Sequence, residues 1–157
     1  MKHTTLFLTL LAAAVIAGCG PARPADLPPL VPCKIKVHDG GSPLANIGVS
    51  FQRVTDHGGW SLNGQTDPNG VAVAKTSVGT YLAAGIPAGT YRITLSEHIE
   101  IPDLGGDYDP ETPAKVQKFL AENRKLPAIL YDPSRTPLEL TVGDSGAELD
   151  IDVAQYK

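Results

Sequence analysis

Gly85-Ile-Pro-Ala-Gly-Thr-Tyr-Arg-Ile-Thr-Leu95 reads as a turn running into a strand. Pro87-Ala-Gly89 makes the turn. Tyr91, Ile93 and Leu95 then fall on one side, and Arg92, Thr94 and Ser96 on the other. Period-two alternation of this kind marks a strand with one buried face. A Tyr opening such a strand just after a Gly turn predicts a tyrosine corner. Its ring packs in the core and its hydroxyl caps upstream backbone. The stretch speaks to fold and carries no chemistry of its own.

The same pattern extends on both sides. Cys33, Ile35 and Val37 alternate with Lys34, Lys36 and His38. That spacing makes Cys33 a buried small hydrophobe rather than a reactive thiol. Asp39-Gly-Gly-Ser-Pro43 is a turn, and Ile47, Val49 and Phe51 are the inward set of the next strand. Asp56-His-Gly-Gly59 is a further turn, after which Trp60 and Leu62 open a third strand. Trp60 reads as a core residue or, at a strand end, as a side chain exposed for binding. Thr66-Asp-Pro-Asn-Gly70 is a tight turn: Asp caps it, Pro presets φ and Asn-Gly accepts positive φ. Val71 and Val73 lead into a strand, and residues 81–85 and 90–98 form the next two. Leu138, Leu140 and Val142 form one late strand. Leu149, Ile151 and Val153 form another, with Glu148, Asp150 and Asp152 outward, where they can face Lys34 and Lys36 across a sheet. The expected fold is an all-β, Ig-like or transthyretin-like Greek-key sandwich of about seven strands.

One insertion interrupts it, residues 99–137. Its centre, 112–125, reads as a helix with Asp109 or Thr112 as N-cap and Pro110 or Pro113 in the first turn. Val116, Phe119, Leu120 and Asn123 share a face. Such a helix either packs on the sandwich rim or binds a partner.

The bulk numbers agree. The 157 residues allow one domain with a real core, and 16 glycines with 14 prolines suit many tight turns. The formal charge is −4. Removing residues 1–18 takes away Lys2 alone, leaving 12 basic against 17 acidic residues, a charge of −5. A mildly acidic chain without a Lys/Arg cluster argues against nucleic acid as a partner.

The N-terminus has the form of an export signal. Met1-Lys-His3 is basic, and residues 6–16 are an apolar run of 11, too short for a bilayer core of roughly 30 Å. Ile16-Ala-Gly-Cys19 resembles the lipobox of bacterial lipoproteins. It predicts a signal peptide over 1–18 and a lipidated Cys19 bearing palmitate-type acyl chains, a stable membrane anchor. Cys33 then has no disulfide partner. By the same resemblance, Gly20 in place of Asp favours the outer membrane. Five prolines between residues 20 and 32 predict an extended tether over 19–32, reaching up to roughly 40 Å, with the domain over 33–157.

Four segments in order carry a family resemblance: Asp39-Gly-Gly-Ser-Pro-Leu-Ala-Asn-Ile-Gly-Val-Ser-Phe51, Gly64-Gln-Thr-Asp-Pro-Asn-Gly70, the stretch 85–95, and Leu126-Pro127 with Tyr131-Asp-Pro133, Thr136-Pro-Leu138 and Val142. Together they resemble the carboxypeptidase regulatory-like, or transthyretin-like, domain. The variant most similar is the lipid-anchored single-domain protein of planctomycete-type bacteria. Asn46 stands where that family has Gly, a residue that tolerates the left-handed region. The resemblance covers most of 33–157. It implies a non-catalytic periplasmic sandwich, with no catalytic residue and no cofactor to carry over.

Catalytic motifs are sparse. Gly143-Asp-Ser-Gly146 matches the surroundings of a chymotrypsin-type serine, but it also suits a hairpin turn between the last two strands, and the chain is too short for two barrels. There is no G-x-S-x-G, HExxH, Walker A or CxxC. Asp103, Asp107, Asp109 and Glu111 form a carboxylate-rich loop. It reads as a solvated turn region, with Ca2+ ligation as the sharper alternative. Two functions remain: an envelope-anchored interaction or scaffold module, and a carbohydrate- or peptidoglycan-binding accessory protein. For the second, Trp60, Tyr81 and Tyr108 are the stacking candidates.

Overall fold

The computed structural model describes residues 22–55, 59–100 and 112–157. Twelve strands are found among them: β1 (Leu30–Val31), β2 (Cys33–Asp39), β3 (Ser42–Pro43), β4 (Ile47–Arg53), β5 (Ser61–Gln65), β6 (Val71–Val73), β7 (Lys75–Val78), β8 (Tyr81–Ala84), β9 (Ile86–Pro87), β10 (Gly89–Glu97), β11 (Glu139–Val142) and β12 (Ala147–Asp152). One sheet has six strands in the order β11-β10-β4-β5-β7-β8. The facing sheet has β12-β2-β3, with β6 also paired to β2, and β1 pairs β9 in a short ribbon. The chain is an all-β sandwich with one helix inserted, as the alternation predicts.

The core is the set of inward residues just named. Cys33, Ile35 and Val37 of β2 face Tyr91, Ile93 and Leu95 of β10, all essentially inaccessible to solvent. Strand β10 is central. It pairs β4 from Tyr91↔Arg53 to Glu97↔Ile47, and β11 from Gly89↔Val142 to Arg92↔Glu139. β4 and β10 are far apart in sequence, so a long connection joins neighbouring strands, as in a Greek key.

The tyrosine corner forms. Tyr91 Oη donates to Pro87 O at 2.6 Å and accepts from Arg53 Nε at 3.3 Å, while Arg53 Nη2 donates to Ala88 O at 2.8 Å. Phe51 meets the Tyr91 ring edge-on, with centroids 6.2 Å apart.

Several details differ from the sequence reading. The turn at Gly143–Gly146 closes with Gly146 N donating to Gly143 O at 2.9 Å, but it is not a hairpin within one sheet. β11 runs antiparallel to β10, whereas β12 runs parallel to β2. A long-range bond accompanies the switch: Ala147 N donates to Pro32 O at 3.0 Å, where the chain joins the other sheet. The polar segment Lys75–Val78 is a strand, because its one fully buried side chain, Thr76, donates from Oγ1 to Gly85 O at 2.7 Å. In β6 the buried residue is Ala72, with Val73 exposed.

The chain joins the sandwich earlier than Cys33. Leu27 N donates to Pro24 O at 3.2 Å, closing a turn, and Leu27 is buried. Arg23 Nη2 donates to Leu27 O at 2.9 Å and Pro28 O at 2.7 Å. β1 then pairs β9, a short two-residue ribbon that tolerates the flanking prolines. The described part of the proline-rich run is therefore bent and docked rather than extended. The helix α1 (Thr112–Asn123) is two residues shorter than expected at its C-terminus. The Glu97 carboxylate accepts from Lys125 N at 2.9 Å and Leu126 N at 3.3 Å and turns the chain there. Val116, Phe119 and Leu120 are half-buried on the rim, and no residue of α1 is fully buried.

Gly70 sits at φ 76°, and a Cβ there would lie 2.5 Å from Val37 O. A left-handed L residue costs about 1–2 kcal/mol before any clash. Gly70→Ala is therefore expected to lower stability by about 2–3 kcal/mol in urea denaturation. A loss under roughly 0.5 kcal/mol would show that this turn does not constrain the β5–β6 crossing.

Candidate functional site

The sequence-predicted site residues scatter. Cys19, Asp103, Asp107, Tyr108, Asp109 and Glu111 lie outside the described residues. So do the signal region 1–18, Asp56, His57 and Pro110, one of the two prolines expected in the first turn of the helix. Trp60 and Tyr81 are half-buried. Trp60 precedes β5 on the side of the buried Leu62, and the Arg53 guanidinium covers its ring at 5.6 Å. Tyr81 pairs with Val78 in the terminal strand β8. Both belong to the inner side of the six-stranded sheet at its rim, so they do not form an outward stacking platform. Among the described residues no group of three His, Cys, Asp or Glu could hold a metal ion.

The two outer faces have different chemistry. On the small sheet, the parallel β12–β2 register sets Glu148 beside Lys34 at 3.5 Å and Asp150 beside Lys36 at 3.3 Å. His38 Nε2 lies 2.8 Å from Asp150 Oδ1, and its Nδ1 accepts from Gly41 N at 3.1 Å. The Lys–carboxylate pairs are more than half exposed, so each contributes only about 0.2–1 kcal/mol. This ladder helps set register and leaves no unpaired charge for a partner.

The outer face of the large sheet carries charge at Arg92, Glu139 and Lys75 and is otherwise neutral. Register places Thr94, Ser50, Asn63, Lys75 and Ala84 in one row across five strands. Ser96, Gly48 and Gln65 form the next row. Strands lie roughly 4.8 Å apart, so the first row, three small polar side chains followed by Lys75 and Ala84, is about 19 Å long. A trough of about 870 Å3 opens on this face, lined by Asn46, Asn63, Gln65, Asp67, Val73, Lys75 and Leu82 among others. Asn46 forms one rim at φ 60°, the left-handed conformation expected of it. The buried Thr66 locks that rim: Oγ1 donates to Leu44 O at 2.7 Å and accepts from Ile47 N at 2.8 Å, and Thr66 O accepts from Asn46 N at 3.0 Å. Asp67 Oδ1 accepts from Asn69 N and Val71 N, both at 2.9 Å. The Val71 N–H above all holds the Asp67 carboxyl below the usual carboxylate range.

A second built feature joins the insertion to β10. Glu97 Oε1 accepts the Tyr131 hydroxyl as well as the two N–H groups after α1. Arg124 lies over the Tyr131 ring at 5.1 Å. Burial, and then the Glu97 hydrogen bond, push the Tyr131 hydroxyl pKa upward. The acceptor oxygen of Glu97 is committed to holding structure, which leaves little of a general base there. Burial likewise pushes the free Cys33 thiol up to about 11, which keeps it protonated and unreactive.

Sequence reading did not find the trough. Each of its residues looks like an ordinary solvent-facing position, and only the register assembles them. The one available signal was the run of uncharged polar residues at 50, 61, 63, 65, 94 and 96. No protein-family model, curated protein or solved structure matches the chain. The functional reading therefore rests on geometry and on the motifs above.

Because the Asp67 pKa is lowered in the fold, its stabilisation is fully present above the unfolded value of about 3.9 and is lost as pH falls through the folded value. Asp67→Asn keeps an acceptor oxygen and removes the titration. The urea midpoint of the variant is expected to fall less steeply than wild type as pH drops below about 4. Parallel curves from pH 2 to 6 would contradict the assignment.

Proposed function

We propose that the protein is a membrane-anchored, non-catalytic lipoprotein of the cell envelope, facing the periplasm from the outer membrane. Its sandwich acts as an interaction or scaffold module. The observation that carries this reading is the short link between the lipobox-like Ile16-Ala-Gly-Cys19 and the docked Leu27. Eight residue-to-residue steps separate Cys19 from Leu27. At roughly 3.3–3.6 Å per residue they span no more than about 29 Å. A lipid on Cys19 would hold the sandwich close to the bilayer at one end, β1–β9. Both outer faces would remain open to the side.

In this reading the described carboxylates serve structure. Asp67, Asp132 and Asp152 accept backbone N–H groups, Glu97 clamps the insertion, and Glu148 and Asp150 pair with lysines. The family reading draws support from where its motifs fall. Residues 39–51 span β3 and enter β4, residues 64–70 make the β5–β6 turn, and residues 85–95 form β9 and most of β10. No helix among the described residues is long and apolar enough to cross a membrane; the anchor in this reading is the lipid on Cys19 of the lipobox-like motif. Glycan binding is the second reading, favoured by a trough without net charge.

The test is Cys19→Ala, followed by membrane fractionation. Wild type is expected in the membrane pellet and carrying an acyl label. The variant is expected in the soluble fraction and unlabelled. A variant that still partitions with membranes would overturn the anchor.

A further inference from the structure

On the trough of the large sheet, shape, unpaired polar groups and exposed apolar groups coincide. Its volume of about 870 Å3 falls in the range of ligand sites, roughly 300–1,000 Å3. Its lining carries one ammonium, Lys75, and one carboxylate, Asp67, so it has no net charge. Among the described residues the side chains of Asn46, Gln65 and Lys75 have no hydrogen-bond or ion-pair partner, and Asn63 makes one bond, Nδ2 to Ser61 Oγ at 3.2 Å. Three large hydrophobic residues are conspicuously exposed among the described ones, and two of them line this trough: Val73 at 44% and Leu82 at 62%.

These features define the occupant. A carboxamide offers an acceptor oxygen and two donor hydrogens, and three carboxamides side by side complement a chain of hydroxyl groups, which also donate and accept. The exposed methyl groups suit the C–H surface that such a chain presents between its hydroxyls. An anion or cation finds no net countercharge. Over β4, β5 and β7 a polypeptide strand finds no free backbone, because each has a strand on both sides. It also finds no enclosed apolar pocket for an anchoring side chain. The rim is preorganised by the three Thr66 bonds that hold the Asn46 loop, which limits the ordering cost of binding.

We propose that this trough binds a neutral glycan segment through Asn46, Asn63 and Gln65, with Val73 and Leu82 packing on the sugar C–H faces. The proposal rests on the interaction-module reading and names the partner class for it. It replaces the aromatic platform with amide recognition on the opposite side of the sheet.

The experiment is calorimetric titration of the full-length chain, in a detergent that contains no sugar, with chitotetraose, cellotetraose and maltotetraose. At least one tetrasaccharide is expected to bind saturably. The paired change Asn63→Ala with Gln65→Ala should weaken it at least tenfold, and Gln65→Trp, which fills the trough, should abolish it. Arg92→Ala, on the same face but outside the trough, should leave binding unchanged. Thermal melts by circular dichroism should show each variant folded, so that a loss reports the site. No saturable binding of any of the three at millimolar concentration would overturn the proposal, as would binding that survives Gln65→Trp. Either outcome leaves membrane release by Cys19→Ala intact, so failure of the glycan site is distinguishable from failure of the anchored-module reading.

Discussion

One hydroxyl group links most of this sandwich. Tyr91 opens the central strand β10, and its Oη reaches back to the carbonyl of Pro87 while receiving a hydrogen bond from Arg53 of β4. Pro87 belongs to β9, which pairs with β1, so the same bond holds the place where the N-terminal segment docks. Arg53 carries the linkage further, to Ala88 O and to the ring of Trp60. The ring itself is fully buried against Phe51. A buried carbonyl without its donor costs about 1–3 kcal/mol, a large share of a small domain's stability. The corner is therefore a constraint on geometry as much as a contact.

The frame that results exposes two faces which differ in kind. The small sheet closes its charges on itself, Lys34 and Lys36 against Glu148 and Asp150. The large sheet exposes hydroxyls, carboxamides and methyls, with its polar side chains mostly unspent. A self-paired ionic ladder offers a partner little. A polar trough without net charge, bordered by exposed apolar groups, offers both hydrogen bonds and contact area. The docked N-terminal segment, β1 against β9, would set how such a face sits relative to a lipid on Cys19.

The core was legible because its signal is local. Alternation in Cys33-Lys-Ile-Lys-Val37 and Tyr91-Arg-Ile-Thr-Leu95 survives any arrangement of neighbours. So does the turn chemistry of Thr66–Gly70, and so does the left-handed Asn46. The charge match of β2 with β12 was legible too, but its parallel sense was not. That sense goes with a hydrogen bond between Ala147 and Pro32, 115 residues apart in sequence. β7 was hidden because its buried residue is a threonine whose hydroxyl is satisfied by Gly85. The Glu97 clamp joins residues about 28 to 34 apart and leaves no spacing to read. The trough is the extreme case: Ser50, Asn63 and Lys75 become neighbours only when register brings three strands together.

The most direct test of this account is equilibrium urea denaturation of Tyr91→Phe, which removes one oxygen atom and leaves the ring. The account predicts a loss of about 1–3 kcal/mol with the denaturant slope unchanged, because Pro87 O is left buried without its donor and Arg53 loses an acceptor. Stability equal to wild type would contradict it and would move the weight of the fold from the corner to the apolar core alone.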